Sequence, residues 1–179
     1  EHGLSGVREL RRWSAAAGRE SVYTNARWQA LDDSLLLTVE IEPSAGWDIV
    51  WPRLGIRFAL PLQLDSASWF GTGPLESYPD SAHAARVGSF TSAIDDLSVS
   101  YARPQESGHR PGLRHLELMG TAGRLTVEAI PDHRGRRPGF SIARHTAEEV
   151  SAAGHPHELP TPSRTYLYID AAQNGLGSR

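Results

Sequence analysis

The stretch "LRHLELMGTAGRLTVEAI", Leu113 to Ile130, decides the fold. Apolar and polar residues alternate on both sides of Gly120 and Gly123, the pattern of two half-buried strands joined by a tight turn. The same alternation recurs outward from it. In "LGIRFALP", Ile56, Phe58 and Leu60 point one way and Arg57 the other. "SVYTNARWQA" and "SLLLTVEIEP" flank "LDD" as another hairpin, and "GFSIAR" and "RTYLYIDA" supply two further strands. "HTAEEVSAAG" predicts one short helix over 146–153, with Thr146 and Glu149 as a capping box and Gly154 as its stop. Pro-bearing segments separate the strands and no repeat or linker interrupts them. The expectation is an all-β, antiparallel β-sandwich forming a single domain over residues 1–179.

Composition narrows the function classes. The chain has 179 residues, 39% hydrophobic and 22% charged, which is enough to own a core. Its formal charge of −3 offers no global attraction to nucleic acid or to an anionic membrane. With no cysteine, disulfides, thiolate zinc sites and a cysteine nucleophile are excluded. No apolar run is long enough to span a bilayer, and a cytoplasmic location is expected.

The most unusual words lie in "WFGTGPLESYPDSAHAARVGSF", residues 69–90. Gly71-Thr72-Gly73 begins like a dinucleotide fingerprint, but Pro74 and Glu76 follow where a third glycine should open a helix. The glycines suit a positive φ or a close backbone approach at a strand end, with Pro74 and Pro79 stiffening the corner. Glu76, Asp80, Asp95, Asp96 and Glu106 are carboxylates of the type glycoside hydrolysis pairs, yet spacing brings no two of them together. Asp95-Asp96 reads as turn chemistry. His155 and His157 have a His-x-His spacing that puts both on one face of an extended segment, and no third metal ligand accompanies them. The arginines of "DHRGRRPG" read as a solvated loop tip. Trp47, Trp51, Trp69, Phe70, Tyr78 and Tyr101 sit in or beside loops, where packing is the first reading and stacking on a sugar ring the second.

Taken as words, Trp69-Phe70-Gly71-x-Gly73-Pro74-x-Glu76-x-Tyr78-Pro79-Asp80 resembles the signature of the C-terminal domain of the large bacterial β-galactosidases of glycoside hydrolase family 2. "WPRLGIRFALP", "YARPQESGHRPGLRHLEL" and "HELPTPSRTYLYIDAAQNGLG" resemble further segments of that domain, in the same order. Ser81 and Ser107 depart from the family's usual arginine and asparagine. The resemblance implies a galactose-mutarotase-like supersandwich, incomplete at both ends, and a retaining glycosidase parent. It implies no catalytic residue and no metal here, the glutamates and the magnesium and sodium sites belonging to a barrel domain and its neighbours. Gln105, Glu106, Gly108 and Arg110 are then expected to form a substrate-side loop. Gly71, Gly73, Pro74, Glu76, Tyr78, Pro79 and Asp80 are expected to form the structural corner beside it. Expected partners are the barrel domain, a galactoside and further copies of the parent. Alternative readings are a mutarotase or epimerase, pairing His83 or His109 with Glu76 or Glu106, and a carbohydrate-binding module using Trp47, Trp51 or Trp69.

Overall fold

A computed structural model describes residues 6–14, 20–48 and 50–175. Contacts divide the chain into two compact units, Glu1–Val50 and Trp51–Arg179. The first holds β1 (Gly6–Ser14), β2 (Ser21–Ala30) and β3 (Leu35–Pro43) in one antiparallel sheet with β2 in the middle. The register sets Val7 against Trp28 and Trp28 against Leu37, so one face of this sheet is rich in apolar side chains. The hairpin read from "LDD" joins β2 to β3, closed by the Leu31 N–H on the Ser34 carbonyl at 2.9 Å.

Among the described residues, the second unit has seven strands in two antiparallel sheets. One has the order β4 (Arg53–Pro61), β10 (Arg164–Gln173), β9 (Gly139–Ala143). The other has the order β6 (Arg86–Ala93), β5 (Leu64–Gly73), β7 (His115–Gly120), β8 (Gly123–Glu128). Leu64, Ala67 and Trp69 of β5, Leu116 and Leu118 of β7, Phe140 and Ile142 of β9 and Leu167 of β10 share one buried cluster. Both sheets therefore turn their apolar faces to a common core, the sandwich arrangement that the alternation implies. Trp69 is its largest member. Its ring meets Phe140 edge-on with centroids 5.7 Å apart, and its indole N–H donates to the Thr72 carbonyl at 3.1 Å. That burial removes Trp69 as a stacking platform for a sugar.

The single α-helix among the described residues, α1 (Ala147–Ala152), starts as the sequence predicts. Thr146 accepts from the Glu149 N–H at 3.2 Å and the Glu149 carboxylate accepts from the Thr146 N–H at 2.7 Å. Its end differs from expectation. Ala153 leaves the helix in an extended conformation, φ −86° and ψ 129°, and Gly154 is not among the glycines of positive φ. The Gly154 N–H is held instead by the Glu158 carboxylate at 2.7 Å. His155 caps the 3-10 turn Pro156–Glu158 and His157 lies within it, so the segment is not extended, and their rings stack 5.5 Å apart at 8°. Parallel stacked imidazoles do not converge on one cation. Asp95 and Asp96 lie in the 3-10 turn Ile94–Leu97, and Asp95 accepts from Arg144 at 2.6 Å. The "DHRGRRPG" tip is closed on Asp132, which accepts from the backbone of Arg134 and Arg136.

Candidate functional site

Strand β5 ends at Gly73, and the Gly73-Pro74 peptide is cis. Neither Gly71 nor Gly73 has positive φ. Close approach explains both. A Cβ on Gly71 would lie 3.2 Å from the Gly112 carbonyl oxygen, and one on Gly73 would lie 2.9 Å from the Phe90 ring. Past Pro74 the chain runs beside residues 107–114. The Thr72 N–H donates to the Pro111 carbonyl at 3.3 Å, Ser77 to His109 at 2.8 Å and Arg114 to Phe70 at 2.9 Å.

Two charged side chains turn this backbone contact into a clasp. The Glu76 carboxylate accepts from the Gly108 N–H at 2.6 Å and from the Tyr101 hydroxyl at 3.0 Å. Gln105 hydrogen-bonds the same hydroxyl. Gly108 has φ +83°, and a Cβ there would lie 2.6 Å from the Leu97 carbonyl oxygen, so only glycine presents its N–H in this way. From the loop, Arg110 reaches back. It is 4% exposed and donates to the carbonyls of Pro74 at 3.0 Å, Leu97 at 3.1 Å and Gly108 at 2.8 Å, with its guanidinium 5.2 Å from the Trp69 ring centroid. Burial pulls the Arg110 pKa down, and the nearby charge of Glu76 opposes that.

Tyr78 stands between the two segments, its hydroxyl 3.4 Å from Glu76 and 3.5 Å from the His109 N–H. Burial, then the Glu76 charge, pushes its pKa up to about 12. Because the folded state favours the neutral phenol, stability is intact below the ordinary tyrosine pKa near 10 and falls as pH rises towards 12. A phenolate absorbance titration should show Tyr78 as the last step, and Tyr78→Phe should delete that step alone. Pro79 and Asp80 complete the corner at the surface, with Ser81 N–H donating to the Tyr78 carbonyl at 2.9 Å. A Cβ on Gly175 would come within 2.7 Å of the Asp80 carboxylate.

Glu106 is tied in another direction. It forms an ion pair with Arg53, whose guanidinium also reaches Ser141 at 2.6 Å, Gln173 at 3.2 Å and the fully buried Asp170 at 3.0 Å. Arg53 lies over the Tyr168 ring at 4.1 Å. Asp170 also faces the buried His109 ring, 3.6 Å from Nδ1. The structure thus gathers Gln105, Glu106, Gly108 and Arg110 with Gly71, Gly73, Pro74, Glu76 and Tyr78. Sequence reading missed Arg53, Tyr101, His109 and Asp170 as parts of this assembly; an aspartate inside the apolar run "YLYIDA" was the available signal.

The acid–base pairs considered for a mutarotase do not form. Glu76 is committed to Gly108 and Glu106 to Arg53, His109 is 4% exposed, and His83 is on the surface. Among the described residues no group of three or more His, Cys, Asp or Glu is placed to hold a metal ion.

The second unit is an antiparallel sandwich carrying a loop clasped by a Gly-Pro corner, with Glu76 and Glu106 engaged in holding that loop. The chain belongs to the β-galactosidase small chain family, whose profile matches residues 9–179. It is 53% identical over 175 residues to a β-galactosidase of Arthrobacter sp. (strain B7), covering 97% of this chain and 17% of that protein. To a β-galactosidase of Vibrio cholerae serotype O1 it is 36% identical over 126 residues, 70% of this chain and 11% of that protein. To that of Halalkalibacterium halodurans it is 30% identical over 149 residues, 82% and 14%. The chain therefore spans about a sixth or less of these relatives' length. No helix among the described residues is long and apolar enough to cross a membrane.

Proposed function

We propose that residues 1–179 are a non-catalytic part of the C-terminal domain of a cytoplasmic, retaining β-galactosidase that hydrolyses terminal non-reducing β-D-galactose residues. The loop of Gln105, Glu106, Gly108 and Arg110 shapes the site of the barrel domain, which carries the catalytic glutamates and the magnesium and sodium ions, in a homo-oligomeric parent. The observation that carries this reading is the clasp itself. A carboxylate, a guanidinium and a tyrosine are spent on fixing one loop to one strand end, and the order of tenths of an ångström matters for a loop that borders reacting groups.

In the full-length enzyme, Glu76→Gln should lower kcat/KM for a β-galactoside by roughly tenfold, because an amide is a poorer acceptor for the Gly108 N–H. Unchanged kinetics, with the variant correctly folded, would refute the shaping role. The isolated chain is expected to leave a chromogenic galactoside intact.

A further inference from the structure

Strand β8 ends its sheet. Among the described residues β7 pairs with one side of it and no strand with the other, which leaves the six residues "GRLTVE" as an open edge. Arg124, Thr126 and Glu128 are exposed, while Leu125 and Val127 lean on the core from the opposite face. An open edge of this kind is a template for a further strand. The order of residues along β8 decides which strand fits.

The direction of the backbone groups comes first. Gly120 and Gly123 face each other across a two-residue turn, so the hydrogen-bonded pairs of the hairpin fall at Leu118 with Leu125 and at Leu116 with Val127. The Ala129 N–H keeps that phase, donating to the Arg114 carbonyl at 2.8 Å. The N–H and C=O groups of Arg124, Thr126 and Glu128 therefore point away from β7. An incoming antiparallel strand has to meet these three.

Side chains then set its identity. When a second copy of β8 lies antiparallel to the first with Thr126 on a two-fold axis, Arg124 of each copy faces Glu128 of the other and the two threonines face each other. Leu125 meets Val127 on the core side, which continues the apolar layer. The neighbouring strand agrees with this register. Glu117 flanks Arg124 at 3.4 Å and His115 flanks Glu128 at 2.5 Å, so donors and acceptors alternate along the whole row. A slip of two residues, the smallest that keeps the faces, sets Thr126 against a charged residue and parts both ion pairs. We propose that β8 is a self-complementary edge through which two copies of this chain associate, merging their four-stranded sheets into one of eight strands. Six residues a side make a small contact, so association of the chain alone is weak and concentration-dependent. The inference names one surface for the self-association assigned to the parent above, and it stands or falls without the loop's effect on catalysis.

Sedimentation equilibrium of the full chain over a range of concentrations should show monomer and dimer in exchange. Arg124→Glu alone, or Glu128→Arg alone, places like charges opposite each other twice in the dimer and should weaken self-association by about tenfold or more. Mixed in equal amounts, these two variants complement each other at both pairs, and the mixed dimer should recover most of the original affinity. Thr126→Pro removes an outward N–H, spares the bonds to β7 and should abolish the dimer. A chain that stays monomeric up to about 1 mM, a dimer indifferent to the single charge reversals, or a mixture no tighter than its components would each overturn the proposal. Circular dichroism checks that each variant folds; if the proline variant does not, the charge reversals at exposed positions decide it. Unchanged kinetics of the parent's Glu76→Gln variant would leave this outcome untouched, so the two readings fail separately.

Discussion

Replacing Arg110 with methionine is expected to cost the fold about 3–5 kcal/mol, read as a lower denaturation midpoint of the chain. Methionine keeps much of the side-chain volume but not the guanidinium's place over Trp69, so the loss reports the guanidinium. Three backbone carbonyls, of Pro74, Leu97 and Gly108, would lose their donor inside the structure. Each buried orphan costs on the order of 1–3 kcal/mol, and the three are coupled, so the sum is an upper bound. Arg110→Lys restores the charge but not the fork that serves several oxygens at once, and should recover less than half of the loss. A loss below about 1 kcal/mol for methionine would mean that water replaces the guanidinium, and the clasp would then be a surface feature.

Gly139→Ala should be nearly as damaging, about 3 kcal/mol, although the change is one methyl group. Gly139 lies opposite Asp170 in the sheet, and a Cβ there would run into the His109 ring, with Nε2 at 2.6 Å and the Arg110 carbonyl oxygen at 3.1 Å. The ring cannot step aside, because Tyr78 packs beside it at 5.8 Å and Asp170 faces it from β10. The strain should appear as displaced amide resonances at residues 108–110 as well as lost stability. Gly71→Ala is the control. Its nearest contacts would be 3.2 and 3.3 Å, which a small backbone adjustment absorbs for about 1 kcal/mol.

Legibility in the sequence followed the chemistry of each segment. The hairpins β2–β3 and β7–β8 were readable because one face of each strand is apolar and the turns carry aspartate or glycine. Strands β5 and β6 were not, since β5 places Ala67, Gly71 and Gly73 at buried positions where alternation needs large side chains. There small residues allow β5 to be approached closely, which is a packing fact with no periodic signature. The clasp was partly visible through a family resemblance, which named Glu76 and Arg110 but gave no bond between them and the opposite segment. The Arg53 cluster was invisible because its members are far apart: Arg53 stands 117 residues from Asp170 and 120 from Gln173. Spacing rules reach only neighbours on one helix or strand; ion pairs between strands appear when topology is known.

That topology has a consequence for synthesis. In the sheet ordered β4-β10-β9, the middle strand is the last one made, and its two neighbours have no hydrogen-bonded edge in common. While a ribosome is still translating the hundred or so residues between β4 and β10, β4 waits with bare edges, and Arg53 waits with it. Closing so long a loop is slow. A nascent chain would hold the β6-β5-β7-β8 sheet well before the second layer, and a stall before residue 164 would leave an exposed, sticky half-sandwich for chaperones to shield.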